Sequence, residues 1–214
     1  MNNKKISEQL NILSKKVHQN AKHKGFWDKP RNYGELFMLI VSELGEAIEA
    51  DRKGRHSSLP DFEKSDLNFG QAFEKHVKDT FQDEIADVAI RLLDYARSEQ
   101  MEINIKGLLG SSKPITFIEF DDIGENLMVM TGLVHEVYEH HNERDKVLIG
   151  ANPTDDDYDE DDLCFEKSIL EESVTRLFIY LFGFSDQLGF DLMRHIDLKM
   201  QYNSTRERLH GKNY

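Results

Sequence analysis

Two stretches of the chain put carboxylates where an amphipathic helix would otherwise be apolar, SELGEAIEA at 42–50 and DEIADVAIRLLDYA at 83–96. At helical spacing Leu36, Leu39, Ile40, Glu43, Glu46, Ala47 and Ala50 fall on one stripe, so both glutamates point with the apolar side chains. Phe81, Glu84, Val88 and Leu92 share a face in the same way, and Asp87 lies one turn beyond Glu84. The chain therefore offers one ExxE and one ExxD. Four ionised carboxylates gathered in a poorly solvated place repel one another, and each suffers a desolvation cost of several kcal/mol. A hard divalent cation offsets both penalties. Mg²⁺ takes oxygen ligands in octahedral geometry and keeps positions for water and substrate phosphates. Either motif alone is common on a solvated helix face, where it forms surface ion pairs. Their joint alignment with apolar stripes is what points to a metal site, for Mg²⁺ first and Mn²⁺ as the alternative.

Helices must carry these residues, and the pattern supplies them. Four prolines, few β-branched runs and repeated i, i+3, i+4 apolar spacing predict an all-α chain. The spacing predicts helices over 5–22, 33–53, 72–99, 122–144, 164–186 and 190–208. Gly107, Gly110, Ser111, Ser112 and Pro114 mark a connector, and Ser57, Ser58 and Pro60 a loop. ITFIEF at 115–120 has the composition of a short strand but no evident partner.

The two halves are alike. GELFMLIVSELGEAIEADRK at 34–53 aligns without gaps on GENLMVMTGLVHEVYEHHNE at 124–143, and QMEINI at 100–105 resembles QLGFDL at 187–192. DEIADVAIRLLDYA and EESVTRLFIYLFGF lie between these blocks at a slightly different offset. Three blocks in one order suggest a degenerate duplication. The expected fold is one domain over 1–214 with a four-helix-bundle core built from two helical hairpins, repeat 1 at about 30–106 and repeat 2 at about 121–208, plus peripheral helices.

KGFWDKPRNYGELFMLIVSELGEAIEADRKGR, DEIADVAIRLLDYA and KMQYNSTRERLHGKNY together resemble the successive signatures of the MazG-like all-α nucleoside triphosphate pyrophosphohydrolases, whose relatives include dimeric dUTPases, dCTP-cleaving enzymes and phosphoribosyl-ATP pyrophosphohydrolases. The resemblance spans most of the first hundred residues and the last twenty. It implies a helical bundle that holds Mg²⁺ on Glu43, Glu46, Glu84 and Asp87 and cleaves a nucleoside triphosphate to monophosphate and pyrophosphate. Glu46, Glu84 and Asp87 would be ligands, and Glu43 either a ligand or the base that orients the attacking water. The alternatives are a dUTPase- or dCTPase-type enzyme of the same superfamily and a non-catalytic helical module that binds nucleotide or a partner protein. The chain departs from the compact pattern in two ways. The stretch RHSSLPDFEKSDLNFGQAFEKHVKDTF is long enough for a lid or an excursion outside the bundle. The second copy has Leu133 in place of Glu43 and Thr175 where Asp87 would fall, and its His135, Glu136, Glu139 and Glu172 do not rebuild the site.

Lys199, Asn203 and Arg206 share a helical face, followed by His210, Gly211 and Lys212. From spacing alone this face is equally a phosphate grip or a solvated basic helix end, and the resemblance favours phosphate. Phe26 and Trp27 precede the second helix; Trp27 could stack a base that Asn32 reads, or pack beneath the loop. DDDYDEDDLCFE at 155–166 imitates a calcium loop but lacks its glycine, and reads as a disordered acidic loop. His140-His141 reads as a solvated helix end.

A net charge of -13 argues against binding nucleic acid polymers. The single Cys164 excludes an internal disulfide, no segment reaches the roughly 20 apolar residues of a membrane span, and no leader pattern opens the chain, so a cytoplasmic protein is expected. Duplication leaves assembly open, with a homodimer among the options.

Overall fold

A computed structural model describes residues 2–110, 120–150 and 160–211. They are helical, with no strand among them: α1 (Asn3–His23), α2 (Tyr33–Arg52), α3 (Leu59–Lys64), α4 (Phe69–His76), α5 (Phe81–Ser98), α6 (Ile105–Leu109), α7 (Ile123–Gly150), α8 (Glu160–Gln187) and α9 (Leu192–Thr205), closed by a short 3₁₀ turn at Arg208–Gly211. No helix among the described residues is long and apolar enough to cross a membrane.

α5 is the central element. It packs against α2, α1, α9 and α8, while α7 packs against α8 and α2. Leu10 and Val17 of α1, Ile40 and Leu44 of α2, Ile85 and Leu92 of α5, Val137 of α7, and Leu177 and Phe178 of α8 form one buried core. Phe73 and Val77 meet Leu198 of α9 in a smaller cluster, with Leu59, Phe62 and Phe69 around it. The long stretch between the two carboxylate motifs thus lies beside α9 rather than within the main core.

The helix predicted over 72–99 is two helices. α4 ends at His76, Asp79 takes a positive φ of 57°, and Thr80 begins α5 by accepting a hydrogen bond from Asp83 N. The Phe81 amide, which an unbroken helix would bond internally, instead donates to the Arg55 carbonyl at 2.9 Å. The break puts Asp83 and Glu84 in the first turn of α5, where the helix dipole favours negative charge. α9 is fastened on the other side. His195 Nδ1 donates to the Asp191 carbonyl at 2.7 Å, which leaves Nε2 to accept from the Ser57 hydroxyl at 2.8 Å.

Two further expectations change. His141 does not sit at a solvated helix end, since α7 continues to Gly150 and His141 is 1% exposed. Its Nδ1 accepts from the Tyr95 hydroxyl at 3.0 Å and from Arg144 at 3.2 Å, and burial lowers its pKa. Arg144 also meets Glu99 at 2.7 Å, joining α5 to α7 through buried charge. Of the acidic run, 155–159 lie outside the described residues, but 160–166 open α8 as helix rather than loop. The possible strand at 115–120 lies outside the described residues except for Phe120.

Candidate metal centre

Glu43 stands in the middle of α2 between Ile40, Leu44 and Ala47, all buried, and is itself only 4% exposed. Glu84 and Asp87 come from the first turns of α5. The packing of α2 on α5 brings one carboxylate oxygen from each of the three within 4.8 Å of the others. Glu46, one turn on from Glu43, is exposed and lines the same cavity without joining that convergence.

Two cations lie against the carboxylates. Arg91, one turn beyond Asp87, reaches Glu43 Oε1 from Nε at 2.7 Å and from Nη2 at 2.5 Å. Lys199 of α9 places Nζ 2.7 Å from Asp83 Oδ2 and 2.7 Å from Asp87 Oδ2. Asp83 also accepts from the Asp79 amide at 3.0 Å, and its Oδ1 is buried with no partner. Burial works against the charge of Lys199, but Asp87 and Asp83 overcome it and hold the ammonium protonated.

These cations do not fully offset the acids. Burial, followed by repulsion from Asp87, Asp83 and Glu43, pushes the Glu84 carboxyl up to about 9 against the pull of Lys199. Burial also raises Glu43, opposed first by Arg91. Carboxylates whose ionisation is this disfavoured, with oxygens close enough to share an ion, form a donor set that fits a hard divalent metal. Asp79, Asp83 and Glu84 make a second close group, but Asp83 already serves Lys199.

The carboxylates open on a cavity of about 700 Å³ walled by α1, the α1–α2 loop, α2, α5 and α9. Its lining combines Lys78, Arg91 and Arg206 with Val17, Phe26, Leu36, Leu39 and Ile90. Asn203 lines it too, 6% exposed, with Oδ1 buried and without a partner. Arg206 caps α9 and donates to the His210 carbonyl at 3.3 Å. Lys212 lies outside the described residues.

Of the two readings of Trp27, packing beneath the loop is the one its contacts match. Trp27 does not line the cavity; its Nε1 donates to both oxygens of Asp94 at 3.1 and 3.0 Å, and its ring packs edge-on against His18 at 5.0 Å. An indole N–H that is half-buried needs an acceptor, and Asp94 supplies it. Asn32 is spent as the cap of α2, accepting from the Glu35 amide at 2.9 Å. Phe26, beside Trp27, faces the cavity, as does Tyr202 of α9. Sequence reasoning missed Asp83 and Arg91. Arg91 was within reach, since it continues the Glu84, Asp87 face at i+7. The partnership of Asp83 with Lys199 crosses 116 residues and leaves no local signal.

Comparison of the chain with protein-family models, with curated proteins and with solved structures returns no match.

Proposed function

We propose that the chain is an Mg²⁺-dependent nucleoside triphosphate pyrophosphohydrolase that releases a nucleoside monophosphate and pyrophosphate. The observation that carries this reading is the convergence of Glu43, Glu84 and Asp87 within 4.8 Å at the wall of a cavity whose lining also brings together basic side chains, among them Lys78 and Arg206, and apolar ones. A substrate with a polyanionic end and a flat base needs both kinds of lining.

Glu43, Glu84 and Asp87 would hold the metal. When bound, it neutralises phosphate oxygens and lowers the pKa of a water. Glu46, exposed on the same wall, is the carboxylate available to orient that water and accept its proton. Arg206 and Arg91 are guanidinium groups suited to phosphate oxygens, which they can grip in pairs of hydrogen bonds. The Phe26, Leu36 and Leu39 side chains offer a dry surface for the base.

We also read the core as a four-helix bundle of α2, α5, α7 and α8 derived from two hairpins. Three observations support this. Asn32 caps α2 and Asp122 Oδ1 likewise accepts from the Glu125 amide at 3.0 Å, positions that correspond in the alignment. A Cβ at Gly34 would lie 3.6 Å from the Tyr138 hydroxyl and one at Gly124 3.8 Å from Ile48, which is the reciprocal pairing expected of two related helices. Each hairpin ties its two helices with an arginine–glutamate pair, Arg91 with Glu43 and Arg176 with Glu136 at 2.5 Å, the latter glutamate aligning one turn on, with Glu46. Matching Arg91 with Arg176, and buried Tyr95 with buried Tyr180, puts Glu172 rather than Thr175 opposite Asp87. Leu133 in the place of Glu43 still leaves repeat 2 without the constellation.

The resident cations Arg91 and Lys199 favour a second reading, a module that binds nucleotide without turning it over. A panel of canonical and modified nucleoside triphosphates, incubated with Mg²⁺ or with EDTA, separates the two. Monophosphate and pyrophosphate appearing only with Mg²⁺ supports the enzyme; binding without turnover of any triphosphate supports the module.

A further inference from the structure

Lys199 touches two carboxylates of different kinds. Asp87 lines the cavity and belongs to the converging set, with its side chain 19% exposed. Asp83 is fully buried, does not line the cavity, and shares its Oδ2 between Lys199 Nζ at 2.7 Å and the Asp79 amide at 3.0 Å. The ammonium is delivered by a buried stem from α9 and lies 6.0 Å from the Phe73 ring centroid, so the smaller apolar cluster fixes its approach. Lys199 is 6% exposed, which leaves it little freedom to move aside.

An ammonium has three donors and accepts nothing. One donor is spent on Asp83 and one on Asp87, whose oxygen is then less available to a metal, and a second cation beside that oxygen would be repelled by the first. Asp83 moderates this competition, because it takes part of the charge of Lys199 on the side away from the cavity. The influence of Asp83 on the site runs through Lys199.

We propose that Lys199 is a resident counter-ion that competes with the divalent metal for Asp87, and that Asp83 is the positioning residue that holds Lys199 back from Asp87. The proposal rests on the metal-site reading of Glu43, Glu84 and Asp87. Two members of one buried ion pair then have opposite effects. Removing Lys199 frees Asp87 and tightens metal binding. Removing the charge of Asp83 leaves Asp87 as the only anion bound to Lys199 and weakens it. A purely structural pair would weaken binding from either side.

The test is titration of metal-free protein with Mn²⁺ alone, following the free ion by its paramagnetic resonance signal. Coupling of ordinary strength predicts about tenfold tighter binding for Lys199→Met and about tenfold weaker binding for Asp83→Asn. The Asp83→Asn/Lys199→Met double variant should match Lys199→Met to within about twofold, because Asp83 acts through Lys199. The double variant removes both members of the buried pair together and leaves no charge behind at Asp83, so it answers the question against wild type even if Lys199→Met alone does not fold. A double variant that binds no more tightly than wild type overturns the proposal. A double variant that folds and binds about tenfold more weakly than a folded Lys199→Met also overturns it and makes Asp83 a ligand in its own right. Wild type that takes up no Mn²⁺ overturns the metal reading together with the proposal, whereas Mn²⁺ uptake unaffected by Lys199→Met overturns the proposal alone.

Discussion

Replacing Glu84 with Gln should make the metal-free protein more stable at high pH while removing its metal response. The folded state holds the Glu84 carboxyl at about 9, against an ordinary value of 4.5. Below the ordinary value both folded and unfolded chains carry the proton and stability is unaffected. Between the two values the unfolded chain gives up a proton that the folded chain keeps, so stability falls as pH rises, and the loss is complete only above about 9. One fully shifted carboxyl would tilt stability by about 1.4 kcal/mol per pH unit. The cavity is open to water, and screening reduces this to about 0.5–1 kcal/mol per unit. Urea unfolding in EDTA between about pH 5.5 and about pH 8.5 should therefore cost wild type roughly 2 kcal/mol more than Glu84→Gln, an isostere with no charge to desolvate. Adding Mg²⁺ should reverse the ranking, since only wild type gains from binding. A variant less stable than wild type at the high-pH end, or a wild-type slope that persists in Glu84→Gln, refutes this picture of a strained, metal-seeking carboxylate.

Other substitutions probe how the site is held. Arg91→Met leaves Glu43 buried beside Asp87 without its guanidinium and should destabilise the metal-free protein by about 2–4 kcal/mol in denaturant titration, an effect that saturating Mg²⁺ shrinks. Ala47→Leu forces a large side chain into a fully buried position on the face of α2 that carries Glu43, and should cost about 1–3 kcal/mol and loosen metal binding with it. Phe73→Ala removes a fully buried ring stacked 4.5 Å from Tyr202, costing about 3–5 kcal/mol; hydrogen exchange should rise first in α3 and α4, which among the described residues pack chiefly on each other and on α9.

What the sequence made legible follows from the reach of its signals. The faces carrying Glu43, Glu84 and Asp87 are short-range facts of helical spacing, and the structure brings these three together. Glu46 shares the stripe, but one further turn carries it past the convergence to an exposed wall. The interruption at Thr80 was invisible to apolar periodicity because Phe73, Val77 and Phe81 keep helical spacing across it, although Phe73 and Val77 belong to the smaller cluster beside α9 and Phe81 to the main core. Spacing leaves Trp27 between two readings for a related reason. Its partner Asp94 lies on α5, 67 residues away, and only the fold brings them together. His141 looked exposed within the polar run at 139–143, yet the aromatic pocket of Tyr33, Phe37 and Tyr95 encloses it. Polar residues paired across the core carry no period, and they are where reading from spacing fails.

The central claim is that Glu43, Glu84 and Asp87 hold the metal with which the chain splits a triphosphate. Pyrophosphate release by Asp87→Asn and by wild type, each at saturating Mg²⁺ on the best nucleotide of the panel, tests it most directly. The account predicts robust release by wild type and a loss in the variant well beyond the roughly 10–100-fold that an outer-shell change costs, with the fold intact by circular dichroism. Undiminished, Mg²⁺-dependent release by folded Asp87→Asn would contradict it.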